Sequence, residues 1–312
     1  MIKVVTLDEL DQDNFFENST LLGVGFGDWT PATKLTKQKP WAYPARAEYG
    51  GLAALVDGVV TARLDVYRFP FRTASGDVQG SGIGGVVSLP DQSRKGAVKA
   101  LFAEAHRKEK EAGSEISLLY TNMSWGAHRL YESIGYKDVA HFYRAVRRPS
   151  ALYTAKPLDG YTLVKSDSSE SDFFRHVHSE WFDGRTGFSR MGVPWRVHGK
   201  GWMKIMFEGD PIGYVKVEAS AKGWHCLEAA YQRIDALRAS VALLERQAGA
   251  KRLLTFGRPY VQYFSKLFPS ESYLLVKTWS VLMGTPLAGS PYQYSLELGG
   301  EDRVSQMVLD AF

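Results

Sequence analysis

An apolar run, Val86-Val87-Ser88-Leu89, meets Pro90 and passes through Asp91-Gln92-Ser93-Arg94-Lys95-Gly96 into a strongly amphipathic stretch. Val98, Leu101, Phe102 and Ala105 make one face of that stretch, Lys and Glu residues the other, and Gly113 ends it. The spacing predicts a strand over Val78–Leu89 followed by a helix over Ser93–Gly113, the building unit of an α/β fold. The loop between them has the character of an anion site. Free backbone N–H groups point outward at a helix start, the helix dipole adds about half a positive charge there, and Arg94 and Lys95 reinforce both. An ordinary strand–helix turn with a solvated basic edge would carry the same letters.

Around this unit, strands and helices alternate. Ile2–Thr6 reads as a strand, and the next stretch, capped by Asp8 and carrying Leu10, Phe15 and Leu22, as a helix. Strands follow at Leu52–Val56, Val59–Phe69 and Val78–Leu89, with hairpin turns at Asp57-Gly58 and Ser75-Gly76. Beyond the amphipathic helix come a strand at Ile116–Tyr120, a helix over Ser124–Ile134 and a strand at Val139–Val146. Arg147-Arg148-Pro149-Ser150 marks a boundary. The same order then recurs more weakly: strand Tyr161–Lys165, a helix near Asp167–Trp181, and strands Trp202–Glu208, Ile212–Val217 and Trp224–Ala229. Helix Tyr231–Ala248, strand Arg252–Phe256, a short helix Tyr260–Leu267 and strand Tyr273–Met283 complete it.

One order used twice in 312 residues predicts duplicated domains, 1–148 and 149–287, before a tail, 288–312, with a terminal helix at Glu301–Ala311. Identity between the halves is negligible, so the repeat is one of pattern. The stretch Gly23–Gly50 has no period at all, which marks a lid or a flexible segment. Its Asp28, Trp29, Trp41 and Glu48 are candidate substrate contacts, since small-ligand pockets are mostly apolar with a few placed polar groups. Its aromatics serve equally well to anchor a long loop.

Composition removes whole classes of function. Apolar residues make up 45% and charged residues 23%, which excludes wholesale disorder. No run approaches the roughly 18–20 apolar residues of a membrane span, so no membrane role is expected. The N-terminus carries Asp8 and Glu9 and no apolar signal core, so a cytoplasmic location is expected. Cys226 is the single cysteine, which rules out an intrachain disulfide and a multi-cysteine metal site. The formal charge of +4 comes with only short basic clusters, Arg144/Arg147/Arg148 and Arg107/Lys108/Lys110, and no nucleic-acid partner is expected.

Three smaller motifs read as structural. Gly80, Gly82 and Gly85 spell G-x-G-x-x-G, but that fingerprint needs a helix directly after it. Val86–Leu89 is strand-like instead, so a bulge or a close backbone approach is expected. His176-Val177-His178 with Glu180 lies on a predicted helix, where positions two apart do not face each other, and no metal is expected. Cys226 and adjacent His225 fall on opposite faces of a strand, which makes Cys226 a structural thiol.

Pro90…Gly96, followed by Ala127…Leu130-Tyr131…Gly135-Tyr136, resembles the GCN5-related N-acetyltransferase (GNAT) superfamily in motif and element order. The resemblance implies an acetyl-CoA site at Val86, Val87 and Ser88 on the strand and Ser93, Arg94, Lys95, Gly96, Ala97 and Val98 on the loop and helix start. It also implies an amine acceptor, and Tyr131 as the acid that protonates the departing thiolate. Ser93 and Val98 depart from the usual Arg or Gln and Gly or Ala of that loop. The apolar Val98 is similar to the enhanced-intracellular-survival (Eis) type, in which two such domains stand in tandem before a third, sterol-carrier-like domain. Gly187-Phe188-Ser189-Arg190, Trp195, Gly213-Tyr214-Val215 and Lys277-Thr278-Trp279-Ser280-Val281-Leu282 look like the second domain of that type. That domain has no Pro-basic-Gly loop and is expected to act as a scaffold. About 26 residues follow Pro286, too few for a third domain.

Phe312 ends the chain, and in the Eis type a terminal carboxylate serves as general base; this gives Phe312 a candidate catalytic role. Asp28 and Glu48 are the other candidates. The sequence thus predicts tandem GNAT folds with mixed central sheets flanked by helices, acting as an acetyl-CoA-dependent N-acetyltransferase on a small-molecule or peptide amine. A non-catalytic CoA-binding sensor or scaffold of the same fold is the alternative. Tandem fusion supplies within one chain the pairing that single-domain relatives achieve as dimers, so monomer and homo-oligomer both stay open.

Overall fold

The computed structural model describes residues 1–26, 49–73, 76–92, 95–147, 156, 158–166, 171–182, 186–188, 201–220, 223–249, 253–256, 267–288 and 304–305. In the first half, β1 (Ile2–Thr6) and α1 (Gln12–Phe26) lead into the antiparallel strands β2 (Tyr49–Val56), β3 (Val59–Thr73) and β4 (Gly76–Ser88). Helix α2 (Ala97–Glu111), β5 (Ile116–Asn122), α3 (Gly126–Ile134) and β6 (Lys137–Arg147) follow. The second half contains β7 (Tyr161–Lys165), α4 (Ser171–Phe182), β8 (Thr186–Phe188), β9 (Trp202–Phe207), β10 (Asp210–Ser220) and β11 (Gly223–Tyr231). It ends with α5 (Ile234–Ala248), β12 (Leu253–Phe256), β13 (Leu274–Pro286) and β14 (Val304–Ser305).

Local chemistry explains the main turns. Asp57 and Gly58 both take positive φ, 53° and 85°, as a two-residue turn between right-twisted strands requires, and Val56 faces Val59 across the hairpin. Helix α2 starts at Ala97, later than the expected Ser93, because Gly96 has φ 89° and no α-helix continues through that conformation. Ala97, Leu101, Phe102 and Ala105 are buried on its sheet-facing side. Buried Glu109 on the same helix takes both ends of the Arg68 guanidinium at 2.9 Å.

The strands form one mixed sheet in the order β1-β2-β3-β4-β5-β13-β6-β12-β11-β10-β9-β7, and β8 pairs with both β3 and β14. The sequence anticipates a sheet in each half; here the two join edge to edge where β12 meets β6. β13, near the end of the second half, lies inside the first. It is antiparallel to β5 and β6 at once, with Val281 facing Thr121 on one side and His141 on the other. Helices α2 and α3 cover one face of the first half through Leu64, Leu101, Phe102, Leu119, Tyr131 and Val281. The other face carries Phe69, Phe71, Leu118, Phe142 and Leu282. A separate core in the second half packs α4 and α5 on β9–β12.

Val304 and Ser305, expected in a terminal helix, instead pair with Thr186 and Gly187 as a short parallel strand, because β8 offers them an edge. Most of the expected short helix Tyr260–Leu267 lies outside the described residues.

Candidate active site

β4 and β5 are parallel and pair over only four residues, Gly80–Ile83 with Ile116–Leu119. Beyond Ile83, among the described residues, β4 is bonded to β3 alone, while β5 continues on β13. A wedge therefore opens between them. Its cause is a bulge: Asp65 faces Gly84 but Arg63 faces Val87, so β4 carries an extra residue. Gly85 takes that place with φ 54°, and a Cβ on it would collide with the Asp65 carboxylate, itself buried in an ion pair with Arg63. The glycines of the G-x-G-x-x-G letters thus belong to a strand and its bulge, as the sequence predicts.

The open end of the wedge is a cavity of about 610 Å³. Val86, Val87 and Ser88 form one wall, and Gly96, Ala97, Val98 and Lys99 at the start of α2 form another. The first intrahelical bond of α2 runs from Ala100 N to Gly96 O at 3.0 Å. The amides of Ala97, Val98 and Lys99 precede it and have no carbonyl within the helix to meet. No acidic residue stands in that first turn. Three outward amides, a helix dipole and Lys99 make this end of the cavity electropositive.

Gly126, Ala127, Leu130 and Tyr131 of α3 close the third side. Gly135, at φ 108°, ends α3, with Tyr136 N bonded back to Tyr131 O at 3.1 Å. The two tyrosines around this cap have different fates. Tyr136 hydrogen-bonds Ser117 Oγ at 2.7 Å and His106 Nε2 at 2.9 Å. The Tyr131 hydroxyl has no hydrogen-bond partner among the described residues, and its ring rests against Phe102 at 5.5 Å. Burial pushes its phenol up to about 12, so it stays protonated throughout the neutral range.

A second cavity, of about 400 Å³, lies on the other face of the sheet between β5, β13, β6 and β11. Trp125 lines it, while the next residue, Gly126, lines the first.

Of the sequence-predicted residues, Val86, Val87, Ser88, Gly96, Ala97, Val98 and Tyr131 thus meet around one cavity. Lys95 is exposed and does not line it. Ser93, Arg94, Asp28, Trp29, Trp41, Glu48 and Phe312 lie outside the described residues. Lys99 and Gly126 line the cavity without having been singled out from sequence. The available signal was helical spacing, Lys99 three residues on from Gly96 and Gly126 four before Leu130. Elsewhere, Cys226 is fully buried and its thiol pushed up by that burial. On α4, His176 is exposed and His178 buried.

Residues 8–139 match the family described as the acetyltransferase (GNAT) domain. That match covers most of the first half. No curated protein matches the chain. Among solved structures, a conserved protein of unknown function from Enterococcus faecalis V583, described as a probable N-acyltransferase, superposes with a TM-score of 0.73. It is 13% identical, over 92% of this chain and 73% of that one. Eis1 from Mycobacterium abscessus gives a TM-score of 0.61 at 16% identity, over 90% of this chain and 73% of that one. A tandem GNAT protein from the clavulanic acid biosynthesis pathway gives 0.54 at 13% identity, over 93% of this chain and 100% of that one. At such identities the likeness is one of fold, and the fold is that of tandem GNAT proteins.

Proposed function

We propose that the chain is an N-acetyltransferase that moves an acetyl group from acetyl-CoA directly to an amine of a small molecule or peptide. The observation that carries this reading is the single cavity lined by the β4 edge that has no partner strand among the described residues, by the first turn of α2 and by Tyr131. The donor set fits an acyl-CoA: the α2 amides and Lys99 suit a diphosphate, and the β5-facing edge of Val86–Ser88, which has no partner strand among the described residues, suits an extended amide-bearing arm. When bound, acetyl-CoA supplies an activated thioester.

The protein's own contribution is positioning and electrostatics. The bulge at Gly85 turns β4 backbone groups into the wedge, where an N–H can polarise a carbonyl oxygen. In the transfer a C–N bond forms as a C–S bond breaks. The amine proton leaves to a base and the sulfur takes a proton from Tyr131. A thiol has a pKa near ~8.5, so a fixed phenolic donor assists its departure. An amine near ~10.4 must shed its proton before attack; Asp28 and Glu48 are the candidate bases. The domain division proposed is 1–148 for the acetyl-CoA domain, 149–287 for a GNAT-like scaffold that completes the acceptor side, and 288–312 for the tail. A cytoplasmic setting suits the acyl donor.

Calorimetric titration with acetyl-CoA, followed by thiol release against a panel of amines, tests the reading. Tyr131→Phe is expected to lower turnover by about 100-fold or more while acetyl-CoA affinity stays within about twofold. Binding without thiol release supports a CoA sensor instead, a reading favoured by Ser93 and Val98 in the loop. Absence of binding overturns both.

A further inference from the structure

The cavity on the face of the sheet away from α2 and α3 has a composition of its own. Phe142 and Tyr120 form its floor, and Trp125, 59% exposed, stands at its mouth. A bulge in β13 shapes one wall. Lys277 faces Tyr143 and Val281 faces His141, so three residues, Thr278–Ser280, stand against Phe142 alone. Thr278 Oγ1 donates to the Phe142 carbonyl at 3.0 Å, which fixes that bulge. The second half contributes Leu227 and His225 from β11, so the cavity exists only in the joined molecule.

Its charge is one-sided. Arg144 is exposed at the cavity wall and makes no ion pair among the described residues. Burial, and then the nearby Arg144, hold the His225 imidazole below its ordinary value, and Glu218, its cross-strand neighbour on β10, opposes them. His225 is thus a neutral imidazole beside a guanidinium at neutral pH. No carboxylate lines the cavity among the described residues. A guanidinium pairs with a carboxylate or phosphate through charge-assisted hydrogen bonds and repels a cation.

We propose that this cleft takes an acceptor with an aromatic or apolar body and an anionic group, the anion meeting Arg144 and His225 and the body lying on Tyr120, Phe142 and Trp125. The acceptor role rests on the acetyltransferase reading; the ligand chemistry does not. Trp125 and Gly126 line the two cavities in succession, so the cleft adjoins the wedge cavity at the start of α3.

The test compares 3-phenylpropionate with phenethylamine, which share ring and chain and differ in charge. Affinities are measured on the full chain by calorimetry or ligand-observed NMR. The carboxylate is expected to bind at least about tenfold more tightly than the amine. Arg144→Met should lose about 10- to 100-fold in carboxylate affinity, Arg144→Lys should recover part of it, and Tyr131→Phe should leave it unchanged. An equal or reversed preference, no binding of either probe at millimolar concentration, or a preference that survives Arg144→Met overturns the assignment. Acetyl-CoA is titrated into the same samples. Loss of cofactor binding with the carboxylate preference intact sinks the acetyltransferase reading and leaves the cleft's ligand class standing.

Discussion

His106 shows how one buried side chain ties the site's support to pH. Its Nε2 meets the Tyr136 hydroxyl at 2.9 Å, and its ring stands edge-on to Phe102, which in turn packs on Tyr131. Burial holds its pKa down at about 4. An unfolded chain takes up the proton near ~6.5, whereas the folded one refuses it until about 4. The stabilisation is therefore complete above the unfolded value and is lost as pH falls from about 6.5 towards 4, by at most about 3 kcal/mol. Urea midpoints across that window should fall less steeply for His106→Gln than for the wild type; parallel curves would refute the assignment. At this scale the sequence was partly legible. The Leu130-Tyr131…Gly135-Tyr136 string carried both tyrosines, and only the family resemblance singled out Tyr131. It could not tell the bonded hydroxyl from the free one, because Ser117 and His106 reach Tyr136 only through the fold.

Between elements, the informative contact is Arg147. In the sequence it stands in a short basic cluster at a boundary, next to Arg148-Pro149-Ser150. In the fold it is 1% exposed at the end of β6, paired through Nε with Glu245 of α5, with Nη1 donating to Ser272 Oγ at 2.6 Å and the guanidinium 4.5 Å from the centre of the Phe268 ring. It ties β6, α5 and the turn before β13 together. Strand and helix periodicity predicted these elements well, since alternation and the apolar stripe are local signals. The partner of a buried charge lies 98 positions away and leaves no such signal. Removing one member leaves an uncompensated buried charge, so Glu245→Gln should cost about 3–5 kcal/mol. The double variant Arg147→Met/Glu245→Leu should regain most of that loss, because an apolar pair of similar volume avoids the desolvation cost. Equilibrium urea unfolding reads both; a double variant no better than the single would show that packing, not the orphaned charge, sets the loss.

At the scale of the molecule, β13 decides whether the halves are separable. Its local pattern announces a strand with a buried stretch, and nothing in it names β5 and β6 as partners, since register is set by burial and not by local letters. Val281, Leu282 and Met283 are wholly buried there, Val281 and Met283 in the core beneath α2 and α3 and Leu282 in the core on the other face. Three such side chains at about 1.5–3 kcal/mol each give roughly 5–9 kcal/mol, on the order of a whole domain's stability of about 5–15 kcal/mol. Without β13, a fragment of residues 1–148 would also present two unpaired edges, β5 and β6, in its middle, an arrangement that invites association. That fragment is therefore expected to aggregate or to unfold without a cooperative urea transition, although it contains the matched GNAT segment 8–139. Co-expression with residues 149–312 should return a soluble, cooperatively unfolding complex, because β13 then reaches its slot from the second piece. A fragment 1–148 that unfolds cooperatively and binds acetyl-CoA by itself would mean that β5 and β6 can close on each other, and that β13 is an addition to the first domain and not a part of it.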